Sequence, residues 1–340
     1  MSQPIPETSP LLDIRGMSKH FPVGTFLNSK QVHAVEDVSF TVQRGQVIAL
    51  VGESGSGKTT TIRMIARLIA VTRGKIFFKG EDMLETEPRQ ASLEYRRKVQ
   101  LIFQDPFASL NAVHTIEHHL ARPLIIHKKA SGRQEIHERV CDLLETVELK
   151  PTAEIANRYT HQLSGGQRQR VAIARALAVD PELILADEPI SMLDVSIRMG
   201  VLNLIDQFKE ERGISYVYIT HDLASARYIG DQIMVMYAGH MVEGGKSEAI
   251  MGNAAHPYTQ LLLSAVPDPR SGLRTNKDAH VHGEVPSLID PPPGCPFAAR
   301  CPQVMEICQQ VMPGQAYIET DHWVRCHLFT ADKSSNKNHT

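Results

Sequence analysis

The chain contains no apolar run approaching the ~20 residues needed to cross a bilayer, which excludes a transmembrane helix of its own. Its opening residues, Met1-Ser2-Gln3-Pro4-Ile5-Pro6, lack the basic stretch and apolar core of a secretory leader, so the expected location is the cytoplasm. Charge imbalance is missing too. A formal net charge of −2 over 340 residues gives no global pull toward nucleic acid or an anionic membrane surface. Internal repeats and sustained heptads are absent, which removes solenoids and long coiled coils. Cysteine is scarce: there are five, and four of them fall after residue 290. What remains is 42% apolar and 22% charged, the balance of a globular protein with a sizeable core. The length suits one large domain plus a smaller one.

One stretch organises the rest. The apolar run Val47-Ile48-Ala49-Leu50-Val51 leads into Gly52-Glu53-Ser54-Gly55-Ser56-Gly57-Lys58-Thr59, and Thr60-Thr61-Ile62-Arg63-Met64-Ile65 follows. This reads as a buried strand, a glycine-rich turn and the start of a helix, and it fits G-x-x-x-x-G-K-[ST] at every fixed position. Glycines let backbone N–H groups curl around phosphate oxygens, and the free N–H groups and positive dipole end of the helix face the same anion. Lys58 adds a full charge over the β- and γ-phosphates, and the Thr59 hydroxyl is placed to ligate Mg²⁺. Gly52 through Thr60 are therefore the expected ATP contacts.

In chain order, residues 1–10 read as a disordered, proline-bearing start. Two short strands, Leu11–Met17 and Val38–Val42, flank a loop containing Phe21. Strands also fall at 74–79 and 99–103. From about 106 to 180 the spacing becomes helical, as in Ile136 to Leu144, so a helical subdomain is inserted there. Strands return at Leu183–Ala186, Tyr216–Ile219 and Gln232–Met236. Alternating apolar strands and helices predict an α/β fold with a mainly parallel sheet covered on both faces. The expected main domain is 11–265. A polar linker punctuated by Pro267, Pro269, Gly272 and Gly283 opens a small cysteine-rich unit over 266–330, and 331–340 reads as a solvated tail.

Two further features narrow the chemistry. The strand Leu183–Ala186 ends in Asp187-Glu188. Asp187 at the strand tip can hold Mg²⁺, and Glu188 is placed to polarise the water that attacks the γ-phosphate. Between them and the first loop lies Leu163-Ser164-Gly165-Gly166-Gln167, a second glycine turn opening a second helix and so a second anion site. Two phosphate-binding turns in one chain are redundant unless one serves a neighbour.

Together these motifs resemble the ATP-binding-cassette (ABC) family over about residues 11–265. The resemblance implies a P-loop NTPase fold working as a dimer that traps two ATP molecules. Each ATP would touch the P-loop of one subunit and Ser164, Gly165, Gly166 and Gln167 of the other. Phe21 would stack on adenine, Gln104 would join Thr59 and Asp187 around Mg²⁺ and act in catalysis, and His221 would hold the γ-phosphate beside Glu188. Asp194, in Ser191-Met192-Leu193-Asp194, would lie on the loop crossing between subunits. With no membrane span in the chain, separate transmembrane permease subunits would form the path, and this subunit would sit peripherally on the cytoplasmic face of the membrane. A soluble cassette ATPase uncoupled from transport is the alternative; it usually brings two cassettes, a coiled coil or basic patches, none of which is seen here.

The late cysteines, Cys295, Cys301, Cys308 and Cys326, are spaced C-x5-C-x6-C-x17-C. In a reducing compartment they are not expected to form disulfides. Structural zinc and an iron–sulfur cluster both remain open, and the absence of paired C-x2–4-C knuckles favours the cluster. The stretch from His256-Pro257-Tyr258-Thr259-Gln260-Leu261-Leu262 through Gly283-Glu284-Val285-Pro286-Ser287-Leu288 to Cys295-Pro296-Phe297-Ala298-Ala299-Arg300-Cys301-Pro302 resembles the C-terminal extension of dipeptide and oligopeptide importer ATPases. That resemblance implies a 4Fe–4S cluster in some members, a second and commonly different ATPase chain as partner, and an extracytoplasmic substrate-binding protein upstream. Peptides are the expected cargo, with oligosaccharides or nickel complexes as the alternatives.

Overall fold

The computed structural model describes residues 9–25, 28–265 and 286–330. The expected disordered start (but for its last two residues), the linker prolines and glycines at 267–283 and the solvated tail lie outside these residues.

The elements run in the following order. First come β1 (Leu12–Thr25), β2 (Asn28–Val42), β3 (Val47–Val51), α1 (Lys58–Ile65), β4 (Arg73–Phe78) and β5 (Glu81–Asp82). Then come α2 (Met83–Thr86), α3 (Leu93–Lys98), β6 (Val99–Ile102), α4 (Pro106–Ser109), α5 (Ile116–Ile126), α6 (Arg133–Thr146), α7 (Thr152–Asn157) and α8 (Gly165–Leu177). The chain continues with β7 (Leu183–Asp187), α9 (Val195–Arg212), β8 (Ser215–Thr220), α10 (Leu223–Ile229), β9 (Gln232–Tyr237) and β10 (His240–Lys246). Last come α11 (Ser247–Gly252), α12 (Pro257–Ser264), α13 (Glu306–Gln310), β11 (Ala316–Glu319), β12 (His322–Val324) and α14 (His327–Thr330).

An eight-stranded sheet in the order β11-β12-β10-β9-β3-β8-β7-β6 carries the molecule, and a four-stranded antiparallel sheet, β2-β1-β4-β5, stands against it. Pairings from β9 through β3, β8 and β7 to β6 are parallel. Alternation along these strands feeds two cores at once. Val47, Ala49, Val51, Tyr216, Tyr218, Ile184 and Ala186 face the helical side. Ile48, Leu50, Val217, Ile219, Leu183 and Leu185 face α1 and the small sheet. Burial on both faces explains why these strands read as unbroken apolar runs.

The sheet is mixed rather than mainly parallel. At Ala238-Gly239 both residues take positive φ (46° and 84°), a two-residue turn that sends β10 back along β9. β12 then pairs antiparallel with β10, and β11 with β12. β10 escaped the sequence reading because glycines depress a strand pattern. Here they are required: a Cβ on Gly244 would stand 2.6 Å from the Trp323 ring and 2.4 Å from the Met234 sulfur.

The early loop around Phe21 is also different. β1 and β2 pair antiparallel along most of their length, and Phe21 lies in β1 opposite Val32.

A separate cysteine-rich unit is not what forms. Its strands extend the main sheet, and Phe297 is fully buried in the main core beside Tyr237 and Tyr258. The buried Glu243 carboxylate fastens the join, accepting from the N–H groups of Ala255 and His256 and from His322 Nε2 at 2.7–2.9 Å. The backbone of residues 288–290 also hydrogen-bonds to β2 at His33 and Gln31.

Candidate functional site

The carboxyl ends of β3, β7 and β8 meet at one edge of the parallel region, where open α/β sheets place their ligands. β3 delivers residues 52–57 and then α1. Gly57 sits at φ 102°, and a Cβ there would stand 2.5 Å from the Ala34 carbonyl oxygen. Gly52, at φ 159° in the extended range, is fixed by crowding instead: its Cβ would meet the Met236 carbonyl at 2.2 Å. The α1 N-terminus has no side-chain cap, so no capping side chain occupies its first N–H groups.

Lys58 is buried and folds back over that loop. Its Nζ donates to the carbonyls of Gly52 and Glu53 at 2.7 and 2.9 Å and to Ser56 Oγ at 3.3 Å. Burial lowers the pKa of this ammonium, and the nearby Glu188, Asp187 and Glu53 act against that. Thr59 Oγ1 donates to Asp187 Oδ1 at 2.9 Å. Burial raises the Asp187 pKa, and the Thr59 hydrogen bond works the other way. A hydroxyl and a carboxylate facing each other beside an anion-binding loop offer the oxygen ligands a hard divalent cation takes.

Glu188 follows at the strand tip with φ 43°, a left-handed conformation uncommon for a residue with a side chain. Its backbone is pinned from both sides: its N–H donates to the Ile219 carbonyl, and its carbonyl accepts from Ser191 N and Oγ. The strain turns the carboxylate to meet two other groups. Gln104 Nε2 donates to Glu188 Oε2 at 3.1 Å, and His221 Nδ1 lies 3.2 Å from the same oxygen. The cavity over the loop is lined by Ala34, residues 54–60, Gln104 and Glu188. An acid, an amide and an imidazole converge at the rim of that cavity, a group able to hold and deprotonate a water.

The structure thus gathers Gly52 to Thr60, Gln104, Asp187, Glu188 and His221 at one edge. Phe21 stays on β1, its ring under Lys19 Nζ at 4.8 Å. It pairs with Val32, two residues before the cavity-lining Ala34.

The second glycine turn does not join this cavity. Ser164 caps α8, its Oγ accepting from Gln167 N at 3.3 Å while Gln167 Oε1 accepts from Ser164 N at 3.0 Å. Gly166 lies so close to Ile197 of α9 that a Cβ would come within 2.6 Å. Asp194 opens α9 without a capping bond from its own side chain.

The four late cysteines line one small cavity together with His256, Phe297 and His327. No three of their sulfurs lie within 4.8 Å of one another. Burial raises the thiol pKa of Cys301 and Cys326, and pushes Cys295 up to about 11. His256 is 1% exposed; its Nδ1 accepts from Tyr258 N at 3.0 Å, and its Nε2 has no partner among the described residues. With Nδ1 accepting, Nε2 carries the proton and presents an unused donor. The sequence reading quoted His256, Tyr258 and Arg300 only as parts of a pattern, and did not foresee their contacts.

A different cluster, His20, His33 and Glu36, is compact enough for an ion. Glu36 Oε2 already meets both rings at 2.6 and 3.1 Å, and its other oxygen pairs with Arg73, so the cluster is satisfied as a structural knot of the β1–β2 pair.

The ABC transporter family profile matches residues 35–191, and the profile for the oligopeptide/dipeptide transporter C-terminal region matches 242–308. The dipeptide transport ATP-binding protein DppF of Haemophilus influenzae is 44% identical over 315 residues, covering 92% of this chain and 95% of that protein. The oligopeptide transport ATP-binding protein AppF of Bacillus subtilis is 42% identical over 324 residues, covering 94% and 98%. Among solved structures, the ATP-binding cassette MJ0796, a dimer in a post-hydrolysis state bound to ADP and Pi, superposes with a TM-score of 0.61 at 29% identity. That match covers 69% of this chain and 98% of the cassette.

Proposed function

The chain belongs to the dipeptide and oligopeptide family of ABC transporter ATP-binding proteins, and we propose that it hydrolyses ATP to drive peptide uptake through separate permease subunits. Among the described residues no helix is long and apolar enough to cross a membrane, so the path belongs to other chains. The observation that carries the reading is the meeting of Lys58, the Thr59–Asp187 pair and the Glu188–Gln104–His221 group around a single loop.

In this reading the loop N–H groups and Lys58 take the phosphates. Thr59, Asp187 and, through its side-chain oxygen, Gln104 surround Mg²⁺. Glu188 orients and deprotonates the attacking water, and His221 steadies it against the γ-phosphate. Phe21 stacks on the adenine. Ser164 to Gln167, with Ser164 exposed and the turn away from this chain's own loop, serve the ATP of a second cassette, with Asp194 at the crossing. That second cassette is the same or a related chain, and an extracytoplasmic binding protein hands over cargo. Closure on ATP and opening after hydrolysis would move the permeases between two states. Replacing Glu188 by Gln is expected to leave ATP binding intact and lower kcat by about 10²–10⁴-fold. Turnover at the parent rate would remove Glu188 from the role of base.

The cysteine cavity also has a fit to a cofactor. Zn–S bonds of about 2.3 Å in a tetrahedron put thiolates roughly 3.8 Å apart. These sulfurs are spread more widely, and His256 Nε2 is a buried donor with no partner among the described residues. Both features suit a larger sulfur-rich anion, and we read Cys295, Cys301, Cys308 and Cys326 as ligands of a 4Fe–4S cluster rather than of zinc. Such a group would supply a fixed cross-link among the four thiolates. Anaerobically purified protein should contain iron and sulfide and absorb near roughly 400 nm; zinc in stoichiometric amount without iron would reverse the choice.

A further inference from the structure

The phosphate loop is gripped from outside by the segment that carries the cysteines. Arg300, one residue before Cys301, donates from Nη1 and Nη2 to the two carboxylate oxygens of Glu53 at 2.8 and 3.1 Å. Nη1 also reaches the Tyr237 hydroxyl at 3.3 Å, and the guanidinium stands over the Tyr237 and Phe297 rings at 5.7 and 5.9 Å. The Arg300 side chain is only 10% exposed, and its pairing with Glu53 raises its pKa. The rest of Glu53 is held as well. Its N–H donates to the Tyr258 hydroxyl at 2.8 Å, and its carbonyl accepts from Lys58 at 2.9 Å. Three contacts from three parts of the chain converge on one loop residue.

The phosphate-loop pattern leaves the position of Glu53 open, so nothing in phosphate binding calls for a carboxylate there. A negative charge beside a triphosphate is repulsive unless it is neutralised locally. Arg300 does that with a planar, bidentate fork that also fixes the angle of the loop. Arg300 in turn is placed by Phe297 and by the Cys295–Cys301 turn, whose backbone closes through the Ala298 N–H to Cys295 and the Arg300 N–H to Phe297.

We propose that Arg300 is a positioning residue for the phosphate loop. By neutralising and orienting Glu53 it sets ATP affinity, and it makes that affinity depend on how the four-cysteine turn is packed. The proposal rests on reading residues 52–59 as the ATP phosphate loop, and Lys58→Ala tests that reading separately.

The experiment is a titration of the full-length chain with a fluorescent N-methylanthraniloyl ATP, with steady-state ATPase rates from the assembled transporter. Arg300→Gln is expected to raise Kd and KM about tenfold with kcat within about twofold. Arg300→Lys, which keeps the charge but not the fork, should fall between, and it serves if the Gln variant does not fold. Adding Glu53→Gln to Arg300→Gln should return Kd to within about threefold of the parent, because the uncompensated carboxylate is gone. A role confined to general stability would not be rescued in this way. Cys301→Ser should raise Kd in the parent and add nothing in the Arg300→Gln background. An unchanged Kd in Arg300→Gln, while Lys58→Ala still abolishes binding, overturns the proposal and leaves the phosphate loop standing. Failure of Glu53→Gln to rescue, or additive losses with Cys301→Ser, also overturns it.

Discussion

The phosphate edge and the cysteine pocket are built on opposite principles. At the phosphate edge four neighbouring strand tips, those of β3, β8, β7 and β6, supply the groups, and each group has a partner within the chain: Lys58 on loop oxygens, Thr59 on Asp187, Gln104 and His221 on Glu188. At the cysteine pocket, groups from His256 to Leu328 converge from loops and short helices, burial holds the Cys295, Cys301 and Cys326 thiols toward their neutral form, and His256 Nε2 has no partner among the described residues. The first site exchanges one set of hydrogen bonds for another when its ligand arrives and leaves. The second is enclosed and keeps a buried imidazole donor that nothing among the described residues receives.

Three experiments sharpen or break this contrast. The largest effect belongs to Lys58→Ala, which removes the only side-chain cation buried in the loop; ATP affinity should fall by about a hundredfold or more. Calorimetric titration showing near-parent affinity would mean that the exchange of lysine bonds is not what ATP uses.

Next is Phe297→Ala. This ring is fully buried among Tyr237, Tyr258 and His256, so its loss should destabilise the chain by about 3–5 kcal/mol in denaturant melts. A cost under about 1 kcal/mol would mean that the cysteine segment is an appendage and not part of the core.

The smallest effect is a pH dependence. Burial depresses His256 from 6.5 to about 3, so the neutral ring stabilises the fold above pH 6.5 and that contribution is lost as pH falls toward 3. Protection factors of the amides at Tyr258 and around Phe297, corrected for intrinsic exchange, should fall between pH 6.5 and 5, and His256→Gln should flatten the response. Identical acid sensitivity in the variant would assign the loss to other groups.

The phosphate edge was legible in the sequence because each of its parts is local. A strand, a glycine turn and a helix start are consecutive, and Asp187-Glu188 ends its own apolar run. The same holds for Ser164, whose partner Gln167 lies three residues on. What stayed hidden depends on contacts across long separations. β10 was masked by Gly244, which makes sense only with Trp323 in place. The mixed sheet followed from a turn at Ala238, a residue with no special preference for positive φ. Arg300 could be quoted as part of a pattern, yet nothing in one dimension says that it reaches Glu53, 247 positions away. Four cysteines gave a chemistry but not their surroundings, and the unused His256 donor is visible only once the chain is folded.

Trp323 has a practical consequence. It is the only tryptophan in the protein and stacks directly on Gly244, at the seam where the late residues join the main sheet. Intrinsic emission excited at the red edge of protein absorption therefore comes from a single known place. Loosening of that seam registers as a shift in colour and intensity without a label, while events confined to the far edge of the sheet stay dark. The molecule carries its own lamp where its late strands join the main sheet.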